Sequence, residues 1–286
     1  MKFFKKAFNV LKESWNRFSN ERSDDLSAII SFYILLAAIP STGLLGFIVS
    51  KIMGSDMELF HSIYVLSNGY FTSLDPNFFV KIRHLIKSIE KLGWLGIIFA
   101  IPIGVVVFTK ITAGINSMFG IPLKRSFFKN TIFQLMMMFF TGTLIFLSLL
   151  ISLTFSAIHG YISRNPVITQ YINPTTISLI INFLVTYILP ILLSFSFFFV
   201  LYKFIPPVSV KTSAALVSAI FTTTLWEIAK RIFTWYIGNV AIWGRLHGTL
   251  SAIVGFILLV DLSVYFLLFG ASLTSVLNTE IRENET

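Results

Sequence analysis

The feature that most constrains this chain is an apolar run from Thr249 to Leu277 that contains a single charged residue, Asp261. An α-helix rises about 1.5 Å per residue, so about 20 apolar residues cross the ~30 Å hydrocarbon core of a bilayer. The run is therefore predicted to be a transmembrane helix. A carboxylate near the middle of such a helix is costly unless it is neutralised, paired or hydrated. Asp261 is thus the sharpest chemical feature of the sequence.

Composition places the whole chain among integral membrane proteins. Of its 286 residues, 55% are hydrophobic and only 12% are charged, and the mean hydropathy is +0.82. These values lie outside the range of ordinary soluble domains. The net charge of +9 is explained by basic residues that flank membrane spans, so no nucleic-acid partner is predicted. The absence of cysteine excludes disulfides, thiolate metal sites and cysteine nucleophiles.

The predicted fold is an all-α integral membrane protein with six transmembrane helices and additional amphipathic helices at the membrane surface. The predicted spans cover residues 26–50, 93–115, 131–158, 177–201, 212–236 and 248–277. One membrane domain, 26–279, therefore follows an N-terminal segment, 1–25, and precedes a short tail, 280–286. Pro40 predicts a kink or a break within the first span.

The N-terminal segment is predicted to form an amphipathic helix. Its apolar side chains recur at a helical spacing that places them on one face: Phe4, Phe8, Leu11, Trp15 and Phe18. Such a helix can lie on an anionic leaflet, or it can pack against the protein's own membrane bundle. The two interpretations are compatible, and the sequence leaves both open. A similar pattern between Phe78 and Leu92 predicts a second amphipathic helix, which either lies on the membrane surface or, as we favour, caps the bundle.

The distribution of lysine and arginine predicts the orientation of the chain. Basic residues precede the first span and follow the second and the fourth, whereas the loop after the third span carries only Arg164. The positive-inside rule then places both termini in the cytoplasm. The segment 51–92 is also basic, but long loops weigh less in this rule.

Two groups of polar residues are candidates for function. Asn182, Thr186 and Ser194 fall on one face of the fourth span, where they can line a hydrated path or simply join helices. Glu227, Lys230 and Arg231 are spaced so that one carboxylate can face two cations. We expect this charge cluster to end the fifth span and set its depth, with contact to a lipid headgroup as the alternative.

Six short motifs occur in order along the chain. They are Ala28 to Pro40 with Phe32-Tyr33; Ile115-Asn116 with Phe119-Gly120 and Arg125; Leu201 to Pro206; Leu225-Trp226 to Lys230 with Phe233 and Tyr236; His247-Gly248; and Gly270-Ala271. Together they resemble the YihY/BrkB family of bacterial inner-membrane proteins, once labelled ribonuclease BN. The family-motif positions are Pro40, Asn116, Gly120, Arg125, Pro206, Trp226, Gly248 and Gly270.

The chain departs from the family pattern at two positions. Ser272 stands where the family usually has Glu, and Asp261 stands where it usually has an aromatic or apolar residue. Eleven residues separate them, a step that returns close to the same side of a helix. One hypothesis is that the acid has shifted along this shared face. The alternative is that Asp261 is particular to this chain and pairs with a Lys or Arg of another helix.

The resemblance implies a bacterial inner-membrane location and a role in envelope or lipid handling, and some members of the family are associated with lipid export or serum resistance. The predicted kinks, polar stripes and Asp261 add the hypothesis of a transporter or flippase-like factor that moves a lipid or an amphiphilic solute. A non-transporting scaffold that holds envelope proteins together is the alternative. The predicted partners are membrane lipids and envelope proteins, and the oligomeric state is left open.

The older family label raises the possibility of a ribonuclease, which the residues do not favour. A metal-dependent nuclease needs clustered ligands, but the four histidines, His61, His84, His159 and His247, are isolated in the sequence. Neither a nucleophile motif nor a phosphate-binding glycine loop is present. The sequence therefore predicts no enzymatic activity, no cofactor and no metal.

Overall fold

A computed structural model describes residues 2–53, 93–120, 127–164, 183–243 and 248–283. Every regular element within these ranges is helical, which confirms the all-α prediction. The helices are α1 (Lys2–Asn20), α2 (Ser23–Met53), α3 (Gly93–Met118), α4 (Phe127–Arg164), α5 (Leu189–Phe204), α6 (Thr212–Trp243) and α7 (Gly248–Glu283), and a π-helical segment (Leu184–Ile188) runs directly into α5.

Within the described residues, five helices are long and apolar enough to cross a membrane. The qualifying segments are Ser23–Ser41, Ile98–Met118, Asn130–Ser148, Thr212–Tyr236 and Ile253–Ile281. In the fourth predicted span, α5 is apolar but shorter. That span is predicted to begin within 165–182, and the predicted second amphipathic helix falls within 51–92. Both segments lie outside the described residues, so the count of six spans stays a prediction.

The boundaries differ from the prediction at both ends of the chain. The N-terminal helix ends at Asn20 and not near residue 25, because Arg22 adopts a left-handed conformation (φ 51°) that turns the chain into α2. Pro40 does not break α2, which continues to Met53. Proline is tolerated inside membrane helices because neighbouring groups satisfy the freed backbone. At the other end α7 extends to Glu283, so part of the predicted tail is helical.

Helix α7 lies at the centre of the bundle and packs against α1, α2, α3, α5 and α6. Its buried apolar residues are concentrated in its second half: Val264, Leu267, Leu268, Ala271, Leu273 and Val276. Its first half, by contrast, exposes several large apolar side chains between Ile253 and Leu262. The packed core of the protein therefore surrounds the C-terminal half of α7.

Helix α1 runs antiparallel along the last turns of α7. Near its start Val10 packs against Leu273 and Val276. Near its end the ring of Phe18 lies 4.6 Å from that of Tyr265 between centroids. Packing against the protein's own bundle is thus what the structure shows for the N-terminal helix.

The predicted single apolar face of α1 is divided between two environments. Phe18 is 2% exposed, whereas Phe8 is 66% and Trp15 is 52% exposed, with Leu11 also exposed. The seam buried against α7 is Val10, Ser14 and Phe18 instead, because these residues follow the i, i+4, i+8 line that faces the neighbouring helix. Contact of the outward side chains with a membrane surface stays a prediction.

The two ends of the described chain meet on one side of the bundle. Lys6 Nζ lies 3.3 Å from Glu280 Oε2, which joins the first helix to the last. Arg17 also donates a hydrogen bond to the Ser275 hydroxyl. A chain that crosses a membrane an even number of times has both ends on the same side. The cytoplasmic location of the termini stays a prediction.

Candidate functional site

Asp261 of α7 faces α2 and meets a buried serine there. Its Oδ1 lies 3.1 Å from the hydroxyl oxygen of Ser31, which is 4% exposed. The same hydroxyl lies 2.7 Å from the backbone carbonyl oxygen of Ser27. A hydroxyl carries one hydrogen, so Ser31 cannot donate a full hydrogen bond to both acceptors at once. The Asp261 side chain, itself half-buried, is therefore only partly satisfied by this contact.

A lysine of a third helix lies beside α2 at nearly the same height as Ser31. Lys110 of α3 places its Nζ 5.3 Å from the centroid of the Tyr33 ring, and Tyr33 follows Ser31 by two residues, about 3 Å along the axis of α2. Among the described residues, Lys110 pairs with no carboxylate. A cation over an aromatic face gains electrostatic stabilisation when water is scarce, so Tyr33 partly compensates the half-buried charge of Lys110.

A second acid and a second lysine pair with each other on α6. Glu227 Oε1 lies 2.6 Å from Lys230 Nζ, and both side chains are about one-fifth exposed. Lys230 Nζ also lies 5.7 Å from the ring centroid of Trp226. Of the two cations expected to face Glu227, Lys230 forms the ion pair; Arg231 is exposed and has no ion pair with Glu227. The helix continues past the cluster to Trp243, and a role of the cluster in ending the membrane span and setting its depth stays a prediction.

These groups occupy one layer of the bundle. The backbone N–H of Lys211 donates to Asn278, and Thr222 is in contact with Gly270, so α6 and α7 run antiparallel. The contact between Thr222 and Gly270 gives a common reference height. From there, Asp261 lies about 14 Å along α7, and the Glu227–Lys230 pair lies about 8–12 Å along α6 in the same direction. The set composed of Ser31, Tyr33, Lys110, Glu227, Lys230 and Asp261 is called the polar layer below.

The second half of α7 carries polar contacts of a different kind. The Tyr202 hydroxyl donates to the Leu267 carbonyl oxygen at 3.0 Å and lies 3.0 Å from Thr222 Oγ1. Ser272, at the position where the family pattern has Glu, donates to the Ser14 carbonyl oxygen of α1 at 2.8 Å. Asp261 and Ser272 therefore contact different helices at different heights of α7, and the hypothesis that the acid has shifted along one shared face stays a prediction.

The polar stripe predicted on the fourth span is interrupted. Asn182 lies outside the described residues, Thr186 lies in the π-helical segment and Ser194 is half-buried in α5. A π-helix has i→i+5 hydrogen bonds and hence a longer turn than an α-helix. A spacing of four residues across it therefore no longer fixes a common face, and a path lined by these three residues stays a prediction.

The family-motif residues mostly serve chain direction and packing. Gly120 ends α3 in a left-handed conformation (φ 67°) that favours glycine. Pro206 is buried in the bend that follows α5, Gly248 begins α7 and Pro40 is half-buried within α2. Asn116 is 2% exposed, and its Oδ1 has no hydrogen-bond partner in the described part of the chain. Arg125 lies outside the described residues.

The sequence did not indicate which residues contact the predicted polar groups. Ser31 could have been found from its position in a run with Ser23 and Ser27 at steps of four, which places three hydroxyls on one helix face. Tyr202 belongs to a motif that was identified, but nothing in the sequence indicates that its hydroxyl reaches α6 and α7.

Metal chemistry finds no support in the described ranges. No group of three or more His, Asp or Glu side chains there is arranged to hold a metal ion. His61, His84 and His247 fall outside the described residues, and His159 lies in a part of α4 whose side chains are not described.

The sequence of the chain is similar to a known family of membrane proteins. A family model described as Virulence factor BrkB matches residues 14–286. The UPF0761 membrane protein of Aggregatibacter aphrophilus (strain NJ8700) is 25% identical over 280 residues, which cover 95% of this chain and 92% of that protein. The UPF0761 membrane protein of Actinobacillus pleuropneumoniae serotype 5b (strain L20) is 23% identical over 198 residues, 68% of this chain and 66% of that protein.

A shorter matched segment has a higher sequence identity. The UPF0761 membrane protein of Neisseria meningitidis serogroup C (strain 053442) is 37% identical over 78 residues, 27% of this chain and 19% of the relative. The matched segments thus span less than two thirds of the Actinobacillus and Neisseria proteins. No solved structure matches the chain. The match from Ser14 to the last residue confirms the resemblance carried by the six motifs: this chain belongs to the Virulence factor BrkB family and is a membrane protein.

Proposed function

We propose that this protein moves a lipid or another amphiphilic solute across the bacterial inner membrane, and that the polar layer lines the path. The observation that carries the proposal is the contact between Asp261 and Ser31, which join two spanning helices through an incompletely satisfied carboxylate. Ionisable groups inside a membrane bundle are expensive and mark solute or ion pathways. A cation or a hydroxyl group of a solute supplies the hydrogen bonding that Asp261 lacks.

The charge content of the polar layer supports an amphiphilic solute. Its two carboxylates, Asp261 and Glu227, are balanced by two ammonium groups, those of Lys110 and Lys230. A headgroup that carries both charges meets a partner for each, whereas a single inorganic ion meets as much repulsion as attraction. The exposed apolar side chains on the first half of α7 offer the acyl chains a surface beside the layer.

A scaffold without transport is the second candidate, and it is favoured by the contacts outside the polar layer. Tyr202, Thr222, Ser272 and Asn278 all bond to other helices or to the adjoining turn, as residues that only join helices do. If the polar layer has the same purpose, its removal lowers stability and no solute moves.

Translocation of a fluorescent phospholipid in proteoliposomes tests the proposal. The purified protein is reconstituted, and reduction of the outer-leaflet label is followed in time. We expect the native chain to accelerate exchange and Asp261→Asn to abolish the acceleration. The control is Asp24→Asn, an exposed acid at the start of α2, which we expect to leave exchange unchanged. Thermal unfolding of each variant in detergent is measured alongside.

Two results would contradict the proposal. Native protein that leaves the exchange rate at that of empty liposomes favours the scaffold. Equal acceleration by the native protein and Asp261→Asn removes Asp261 from the path.

A further inference from the structure

Arg231 occupies the outward face of α6. It is exposed, and the residues one turn away or adjacent to it on that face are Ile228, Ile232 and Trp235, which are 49%, 60% and 63% exposed. Val217 and Ile220 continue the same apolar face toward the start of the helix. The opposite face, with Ala215, Ser218 and Ala219, is fully buried. Arg231 is thus a cation set in a lipid-facing surface.

The neighbouring charges do not neutralise Arg231. Glu227, the acid nearest to it along the helix, is paired with Lys230 at 2.6 Å on the more buried side of α6. No carboxylate in the described ranges pairs with Arg231. A guanidinium is ionised at all physiological pH values, and an unpaired charge at a lipid-facing position is costly. The described part of the chain thus offers this cation no anionic partner.

We infer that Arg231 binds the phosphate of a membrane phospholipid on the outer surface of α6. The planar guanidinium presents parallel N–H donors that match phosphate oxygens in a bidentate arrangement. Trp235 lies one turn further along the same face, and tryptophan is typical of positions at headgroup depth. Ile228 and Ile232 provide apolar surface for the acyl chains.

This site is separate from the polar layer. Arg231 lies at about the same height as Asp261, since each is nine residues from the contact between Thr222 and Gly270. Asp261, however, faces α2 inside the bundle, whereas Arg231 faces outward. A lipid at Arg231 is a bound annular lipid, and its binding does not depend on whether the protein transports anything.

Native mass spectrometry of the full-length protein in detergent tests the inference. Dioleoylphosphatidylglycerol is titrated, and the dissociation constant of the tightest lipid is compared between the native protein and Arg231→Gln. We expect a loss of about tenfold or more, the size of a charge-assisted hydrogen-bonded contact. Arg231→Lys keeps the charge without the bidentate geometry, so it falls between the two.

The matched control is Arg22→Gln, which removes an exposed arginine that is paired with Asp25 at 2.5 Å; its lipid affinity stays native. Dioleoylglycerol, which has the same chains and no phosphate, binds the native protein and Arg231→Gln equally. Native affinity for the phospholipid in Arg231→Gln would overturn the inference. So would a dimer that is lost in Arg231→Gln with lipid affinity unchanged, because the anion would then belong to a second copy of the chain.

Discussion

A methyl group on Gly270 would lie 2.1 Å from the hydroxyl oxygen of Tyr202 and 2.1 Å from Thr222 Oγ1. Three helices meet at this point, since Gly270 belongs to α7, Thr222 to α6 and Tyr202 to α5. The Tyr202 hydroxyl contacts both neighbouring helices, with Thr222 Oγ1 and the Leu267 carbonyl oxygen each at 3.0 Å. The hydrogen bonds therefore require that position 270 has no side chain.

We predict that Gly270→Ala lowers the free energy of unfolding by about 2–4 kcal/mol, because overpacking and the loss of a buried hydrogen bond act together. Denaturant unfolding in detergent measures the change. The control is Gly142→Ala in α4, where a methyl group would meet nothing within 4 Å. That variant should be as stable as the native protein or more so. Equal stability of the two variants would refute the close approach.

Ser31→Ala and Asp261→Asn should not have additive effects on transport. Each substitution removes one partner of the same contact, and residues in contact show coupling energies of about 0.5–3 kcal/mol in double-mutant cycles. We expect Ser31→Ala to slow lipid exchange in the liposome assay and to have no further effect once Asp261→Asn is present. Independent effects would show that the contact is not part of the path.

Phe18→Ala and Phe8→Ala should separate the two faces of α1. Phe18 is 2% exposed and packs against the rings of Tyr265 and Phe269, so its truncation should cost about 3–5 kcal/mol. Phe8 is 66% exposed, and its truncation should change stability in detergent little. The measurement is thermal unfolding, together with trypsin cleavage near Lys12, which Phe18→Ala should accelerate. Similar losses for both variants would contradict the docked position of α1.

Glu227→Gln should destabilise the protein more than Arg231→Gln in detergent without added lipid. The first leaves the partly buried Lys230 without its carboxylate partner, and a buried charge that loses its partner is costly. The second removes an outward charge that is not part of this pair. Unfolding midpoints of the two variants provide the comparison, and the order would be reversed if Glu227 interacted mainly with Arg231.

Reporter fusions should place both ends of the chain on the cytoplasmic side. Fusions at Glu285 and at Asn165 are expected to report opposite sides of the membrane, since the loop after the third span is poor in basic residues. A fusion at Lys2 should agree with the one at Glu285, because Lys6 and Glu280 are in contact. Matching signals from Glu285 and Asn165 would refute the six-span topology.

The sequence by itself determined the class of the fold and the family. A bilayer offers no water to hydrogen-bond the backbone, so a long apolar run without charge has almost no alternative to a helix. The motifs around Asn116, Pro206 and Trp226 were sufficient to indicate the family. Helix ends were less well predicted: α1 ends at Asn20 because the left-handed backbone of Arg22 turns the chain, and α7 continues to Glu283, where α1 packs beside it.

Only the tertiary structure decided which polar groups meet. Asp261 and Ser31 are 230 residues apart in the chain, and no local pattern connects them. Lys230 and Arg231 are adjacent in sequence, yet one pairs inside the bundle and the other faces outward. In a soluble helix the polar face identifies the outside, but in a membrane both the lipid and the protein interior are apolar. The direction that each charged side chain faces therefore depends on the packing of the neighbouring helices.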